Sequence, residues 1–122
     1  MDNIQEYLNT ILADLKNIAN IEASVIASHH GLIMVSDVPE YVPEAQLGAF
    51  TATIMGSAKT VMKELRQNSP KMLMIRSSDA IAIFMDAGEN AILGTLFMDE
   101  GNIGLVMVEM ESACKKISAI LE

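Results

Sequence analysis

Two adjacent histidines, His29 and His30, stand before Gly31. Imidazole is a common metal ligand, so the pair raises the question of a metal site. Adjacent side chains diverge, however, and neither Cys114 nor an acidic cluster lies close enough in sequence to complete a ligand set. A solvated turn is the better reading. Gly56-Ser57-Ala58-Lys59-Thr60 ends in the Lys-Thr of a phosphate-binding loop. That loop needs Gly directly before the lysine, an earlier Gly, and a strand-to-helix passage. Ala58 stands before Lys59, and the segment falls inside a helical pattern. No G-x-S-x-G elbow is present for acyl transfer. The carboxylates are scattered over turns and helix exteriors, with no convergent acid or base. Cys114, the single cysteine, falls on the inner side of the last helix and reads as a small core residue rather than a nucleophile. No catalytic, metal-binding or cofactor-binding constellation is legible.

The cations are more informative. Lys59, Lys63, Arg66, Lys71 and Arg76 face only Glu64 between residues 59 and 76, a local +4 that leaves −12 on the rest of a chain with net charge −8. Cations near a helix C-terminus favour the macrodipole; a basic rim that steers an acidic partner surface is the other reading. Both can hold. The overall acidity argues against non-specific nucleic-acid binding, which needs a basic surface to neutralise phosphates. The longest uncharged stretches, such as residues 45–58, are too short to span a bilayer, and no basic n-region precedes an apolar run at the start. The length of 122 residues fits one domain, residues 1–122, and the single Cys makes a reducing, cytoplasmic compartment the default expectation. Ten Met against 4% aromatic residues imply an aliphatic, Met-filled core.

These residues must be held by elements that periodicity can place. Ile4, Leu8, Ile11, Leu12, Leu15 and Ile18 recur at helical spacing and predict a helix over residues 2–18, with Asp2 or Asn3 as cap and Asn20 just past its end. Apolar runs at 23–28 and 32–36 flank His29-His30-Gly31 and predict a hairpin. A polar, Pro-marked connection leads to a second helix over roughly 43–68, with Pro43 in its first turn. Strand-like runs at 72–77, 80–87 and 91–98 are joined by turns at Ser78-Asp79 and Gly88-Glu89-Asn90, short enough to force antiparallel hairpins. Their near-continuous apolar character predicts a sheet covered on both faces. Asp99-Glu100-Gly101-Asn102 opens a final helix with Ile103, Val106, Met107, Met110, Cys114 and Ile117 inside. The order α-β-β-α-β-β-β-α predicts an α+β fold, a five-stranded antiparallel sheet with helices on both faces.

The second helix is the most unusual element. Leu47, Phe50, Thr51, Ile54, Ala58, Val61, Met62 and Leu65 form one stripe, expected to pack on the sheet. The opposite stripe is small: Ala45, Gly48, Ala49, Ala52 and Gly56. No charge occurs between Glu44 and Lys59, whereas a solvated helix face normally carries charge. Each mid-helix Gly costs about 1 kcal/mol relative to Ala. Close approach of a protein partner to the small stripe accounts for both oddities; complete burial within a monomer is the alternative.

The element order, Gly31-Leu32-Ile33 after the first turn, Gly101-Asn102-Ile103-Gly104-Leu105-Val106 opening the last helix with Glu109 after it, and the small-residue second helix together resemble the Roadblock/LC7 family. The resemblance spans nearly the whole chain. His30 departs from the acidic residue often found before this Gly, which leaves the turn itself intact. The resemblance implies a profilin-like architecture and a non-enzymatic module that dimerises through the third strand and second helix, joining two sheets into one. On this chain that implies an interface at Gly48, Ala49, Ala52, Gly56, Met72, Met74 and Arg76, to which the small stripe adds Ala45 and the charge pattern adds Lys59, Lys63 and Arg66 as a candidate partner-facing rim. It implies no cofactor, and it implies scaffolding or regulation of a Ras-like small GTPase. It implies no inserted arginine, so neither Arg66 nor Arg76 is assigned as an arginine finger. A structural assembly subunit without effect on GTP turnover and a small-ligand sensor are the alternative functions.

Overall fold

The computed structural model describes residues 2–122, with the backbone alone at Asp2. Helix α1 (Asp2–Ala19) sends Leu8, Ile11, Leu12 and Leu15 into the core. Asn20 ends it with a φ of 55°, a left-handed backbone that Asn tolerates better than most residues. Asn3 lies inside the helix and does not cap it; the capping expected of Asp2 concerns a side chain outside the described residues. Strands β1 (Ala23–Ala27) and β2 (Ile33–Asp37) form the first hairpin. The Ser28 hydroxyl organises its turn by accepting the N–H groups of His30 at 3.2 Å and Leu32 at 3.1 Å. Gly31 supplies the required positive φ of 92°.

Helix α2 (Glu44–Glu64) starts after Pro43, which sits at the N-cap rather than in the first turn, its carbonyl accepting the Leu47 N–H at 3.0 Å. The helix stops four residues short of the expected Asn68. Arg66 takes a φ of 60°, and the N–H groups of Arg66 and Gln67 bond back to the carbonyls of Lys63 and Met62, both at 2.9 Å. This 5→2 and 6→1 pair closes a helix, with Arg where Gly usually stands. Strands β3 (Leu73–Arg76), β4 (Ile81–Asp86) and β5 (Ile92–Phe97) follow as hairpins. A short 3-10 turn (Glu100–Asn102) is capped by the Asp99 carboxylate, which accepts the Gly101 N–H at 2.8 Å. It leads into α3 (Ile103–Leu121).

All strand pairs are antiparallel, in the order β2-β1-β5-β4-β3, so β2 and β3 are the edges. The expected element order and sheet are therefore observed. Alternation along β4 sorts the faces: Ile81, Ile83 and Met85 are buried, while Ala82, Phe84 and Asp86 are half-buried. The first set meets Ile26, Leu93 and Phe97 under α1 and α3, where Leu12, Val106, Met110 and Ile117 complete the main core. Each such side chain contributes roughly 1.5–3 kcal/mol on full burial. Helix α2 lies on the other face, mainly over β2, β1 and β5. Coverage of that face is thus incomplete, in contrast to the expectation from the apolar runs. Leu73, Ile75, Ala82 and Phe84 share its β3–β4 half by register, and Ile75 is exposed there.

Candidate functional site

The seating of α2 decides which of its residues are available. A Cβ on Gly48 would lie 2.6 Å from the Gly31 carbonyl oxygen and 2.9 Å from the Ile33 side chain. A Cβ on Gly31 would lie 3.1 Å from the Ala49 Cα. The two glycines let the helix rest backbone-on-backbone against the β1–β2 turn. Gly48, Thr51 and Met55 consequently face the sheet. This corrects the expected stripes. Gly48 is buried within its own chain and offers no side to a partner, and Ala52 is half-buried. Ala45, Ala49 and Gly56 are exposed, and a Cβ on Gly56 would meet nothing within 4 Å. Phe50, Val61 and Leu65, expected against the sheet, are instead 66%, 55% and 62% exposed. Met55, in neither expected stripe, is the residue that fills the space beneath.

On β3, Met72 and Met74 pack against the α1–α3 core. Side-chain contact from the uncovered face therefore falls to Leu73 and Ile75, and Met72 and Met74 lend that edge chiefly backbone. Arg76 is ion-paired with Glu100, both groups being more than half exposed. The rim cations also divide. Lys59 is held 2.8 Å from one Asp86 oxygen, and the other oxygen lies 3.8 Å from His29 Nε2. Lys59 thus ties α2 to the end of β4 and is not a free rim cation, while His29 stands beside the pair without a hydrogen bond to it. His29 sits in the turn and is half-buried, and His30 beside it is exposed. Lys63 and Arg66 are exposed and without an ion pair among the described residues; Lys71 joins them.

Between α2 and the uncovered strands lies a cavity of about 190 Å³ lined by Val38, Val42 and Leu47 on one side and Ala82, Phe84 and Leu96 on the other. The Phe84 ring lies over β5, where a Cβ on Gly94 would come within 2.9 Å of it. Gly94 is the space that the ring occupies. Charged side chains are absent from the lining. Such a surface can pack apolar groups and can do no acid–base chemistry.

Residues 7–97 match the family described as Roadblock/LC7 domain. The chain belongs to that family. Its fold is similar to Myxococcus xanthus MglB, with a TM-score of 0.90 at 16% identity over 96% of this chain and 89% of that one. The gliding protein mglB from Thermus thermophilus gives 0.84 at 16% identity, covering 96% and 90%. In sequence, the uncharacterized protein MJ1340 of Methanocaldococcus jannaschii is 27% identical over 113 residues, 93% of this chain and 98% of that protein.

Membership makes this an adaptor or regulator domain rather than an enzyme. Burial first, then the charges of Asp86 and Glu111, push the Cys114 thiol up to about 12. At pH 8 its nucleophilic thiolate is scarce. No group of three or more His, Cys, Asp or Glu gathers into a metal-ligand cluster among the described residues. Nor is any helix among them long and apolar enough to cross a membrane. The exposed face of α2 together with the bare β3–β4 surface remains as the candidate site. Its uncharged character was legible in sequence; its true membership required the Gly31–Gly48 contact, for which no spacing rule exists.

Proposed function

We propose that this Roadblock/LC7 domain is a small-GTPase-associated adaptor that works as a homodimer. The carrying observation is a continuous surface left uncovered by the chain's own elements: the outward side of α2 with Phe50, Ala49 and Gly56, and the β3–β4 half of the sheet with Leu73, Ile75 and Phe84. A second copy added along β3 would pair the open edge, which otherwise invites indiscriminate association. It would also cover the apolar strands and the adjoining cavity. A stable interface of this kind buries about 800 Å² on each partner. Self-association has a parallel in an MglB solved in a tetrameric arrangement, whose fold is similar at a TM-score of 0.88.

The dimer would present two α2 helices side by side to a Ras-like small GTPase. Its action there is positional. By holding one switch conformation more tightly than another, the dimer shifts the partner's population in proportion to that differential affinity. Arg76 is engaged by Glu100 and lies outside such a role. The decisive experiment recovers the bound GTPase by affinity purification from the native cell and measures its GTP turnover with and without the domain. Accelerated turnover supports a regulator. A bound GTPase with unchanged turnover limits the role to scaffolding, and recovery of none contradicts the proposal.

A further inference from the structure

Lys59 and Arg76 are paired within the chain with Asp86 and Glu100, which leaves Lys63 and Arg66 at the end of α2 without an ion pair among the described residues. Val61 and Leu65, one helical turn apart on the same side, are exposed on the last turns of α2. Arg66 holds its left-handed backbone while its guanidinium makes no hydrogen bond or ion pair among the described residues. A Cβ makes that conformation costly, and Gly would avoid the cost. Strain kept under a side chain with no use inside the fold points to a use outside it.

We propose that this tip, Lys63 and Arg66 about the exposed Leu65, docks an acidic segment of a partner protein whose apolar side chain rests on Val61 and Leu65. Charge complementarity selects the occupant. Only the 59–76 segment is basic, and the remaining −12 repels a long polyanion while a short acidic segment meets the tip alone. The acidic body of a second copy is a poorer occupant, because tip-to-body contact is head-to-tail and builds open polymers. The inference rests on the adaptor reading only in taking the partner to be a protein; it needs neither the dimer nor the GTPase.

The test is selection of a random dodecapeptide display library against the wild-type domain and the Lys63→Glu/Arg66→Glu variant. The wild type should enrich peptides rich in Asp and Glu with a large apolar residue, and the variant should bind them about tenfold more weakly. A synthetic copy of the best peptide should shift the amide NMR signals of Lys63, Leu65 and Arg66, less so at high salt. Arg66→Gly separates recognition from folding: its melting temperature should rise while its affinity for the same peptide falls about threefold or more. Enrichment without acidic bias would overturn the proposal, as would signals that map elsewhere or an Arg66→Gly variant with undiminished affinity. So would a single-stranded RNA or a phosphatidylserine vesicle that moves the tip signals where acidic peptides do not. Polymers that the charge reversal abolishes would assign the tip to a second copy and overturn it equally. A monomer without a GTPase partner would defeat the proposed function and leave every one of these results intact.

Discussion

A methyl group on Gly48 would press into the Gly31 carbonyl, which belongs to backbone and cannot swing aside. The same methyl on Gly56, eight residues later, would meet open space. Gly48→Ala should therefore destabilise the domain by about 1–3 kcal/mol through overpacking. Gly56→Ala should stabilise the single chain by about 0.5–1 kcal/mol, because it removes unfolded-state freedom without a clash. Denaturant melts of the two variants, run at concentrations too low for self-association, would show opposite signs; equal signs there would mean that α2 is not seated on the first turn. Cys114 gives a second residue-level expectation. Its thiol is raised from 9.0 to about 12, so the native state holds the proton more tightly than the unfolded chain. That contribution to stability is complete below pH 9, and falls as pH rises from there toward 12. Iodoacetamide at pH 8 should accordingly label Cys114 only in denaturant, whereas rapid labelling of the native protein would contradict its burial.

Among the elements, α1 and α2 show when a helical face can be read from sequence. Glu6, Asp14 and Lys16 break the apolar stripe of α1, and Leu8, Leu12 and Leu15 are buried as the spacing requires. Helix α2 has no charge between Glu44 and Lys59, so its phase rests on side-chain size alone. Size pointed Phe50 and Val61 inward; a backbone contact at Gly31 turned them out and put Met55 beneath. The Lys59–Asp86 clasp was equally invisible, since it joins a helix and a strand end that no local pattern connects. Asp86→Ala should remove it and loosen α2 by about 1 kcal/mol, the scale of a partly solvated ion pair. Hydrogen exchange should then quicken in α2 more than in β5, and uniform quickening would deny the clasp a local role. What spacing did convey in full was element order, because turn residues such as Gly31, Ser78-Asp79 and Gly88 punctuate apolar runs of unambiguous length.

At the scale of the molecule, one face of the sheet carries two helices and the other carries one, displaced toward β2, β1 and β5. The imbalance leaves an apolar surface beside an open strand edge, and the proposed adaptor role depends on a second copy completing it. The expectation of such a surface came from an uncharged helix; within the chain Gly48 is buried and Ala52 half-buried, whereas Phe50 and Ile75 are exposed. Ile75 is the direct probe because it is exposed on β3, on the uncovered face and away from the core. Glu at this position should leave the single chain folded and place an unpaired charge in the pairing surface. Sedimentation equilibrium at micromolar concentration is the measurement: the wild type should sediment at twice its 13.2 kDa chain mass, and Ile75→Glu at the chain mass with an unchanged circular dichroism spectrum. A wild-type monomer, or a dimer that survives the substitution, would contradict the account.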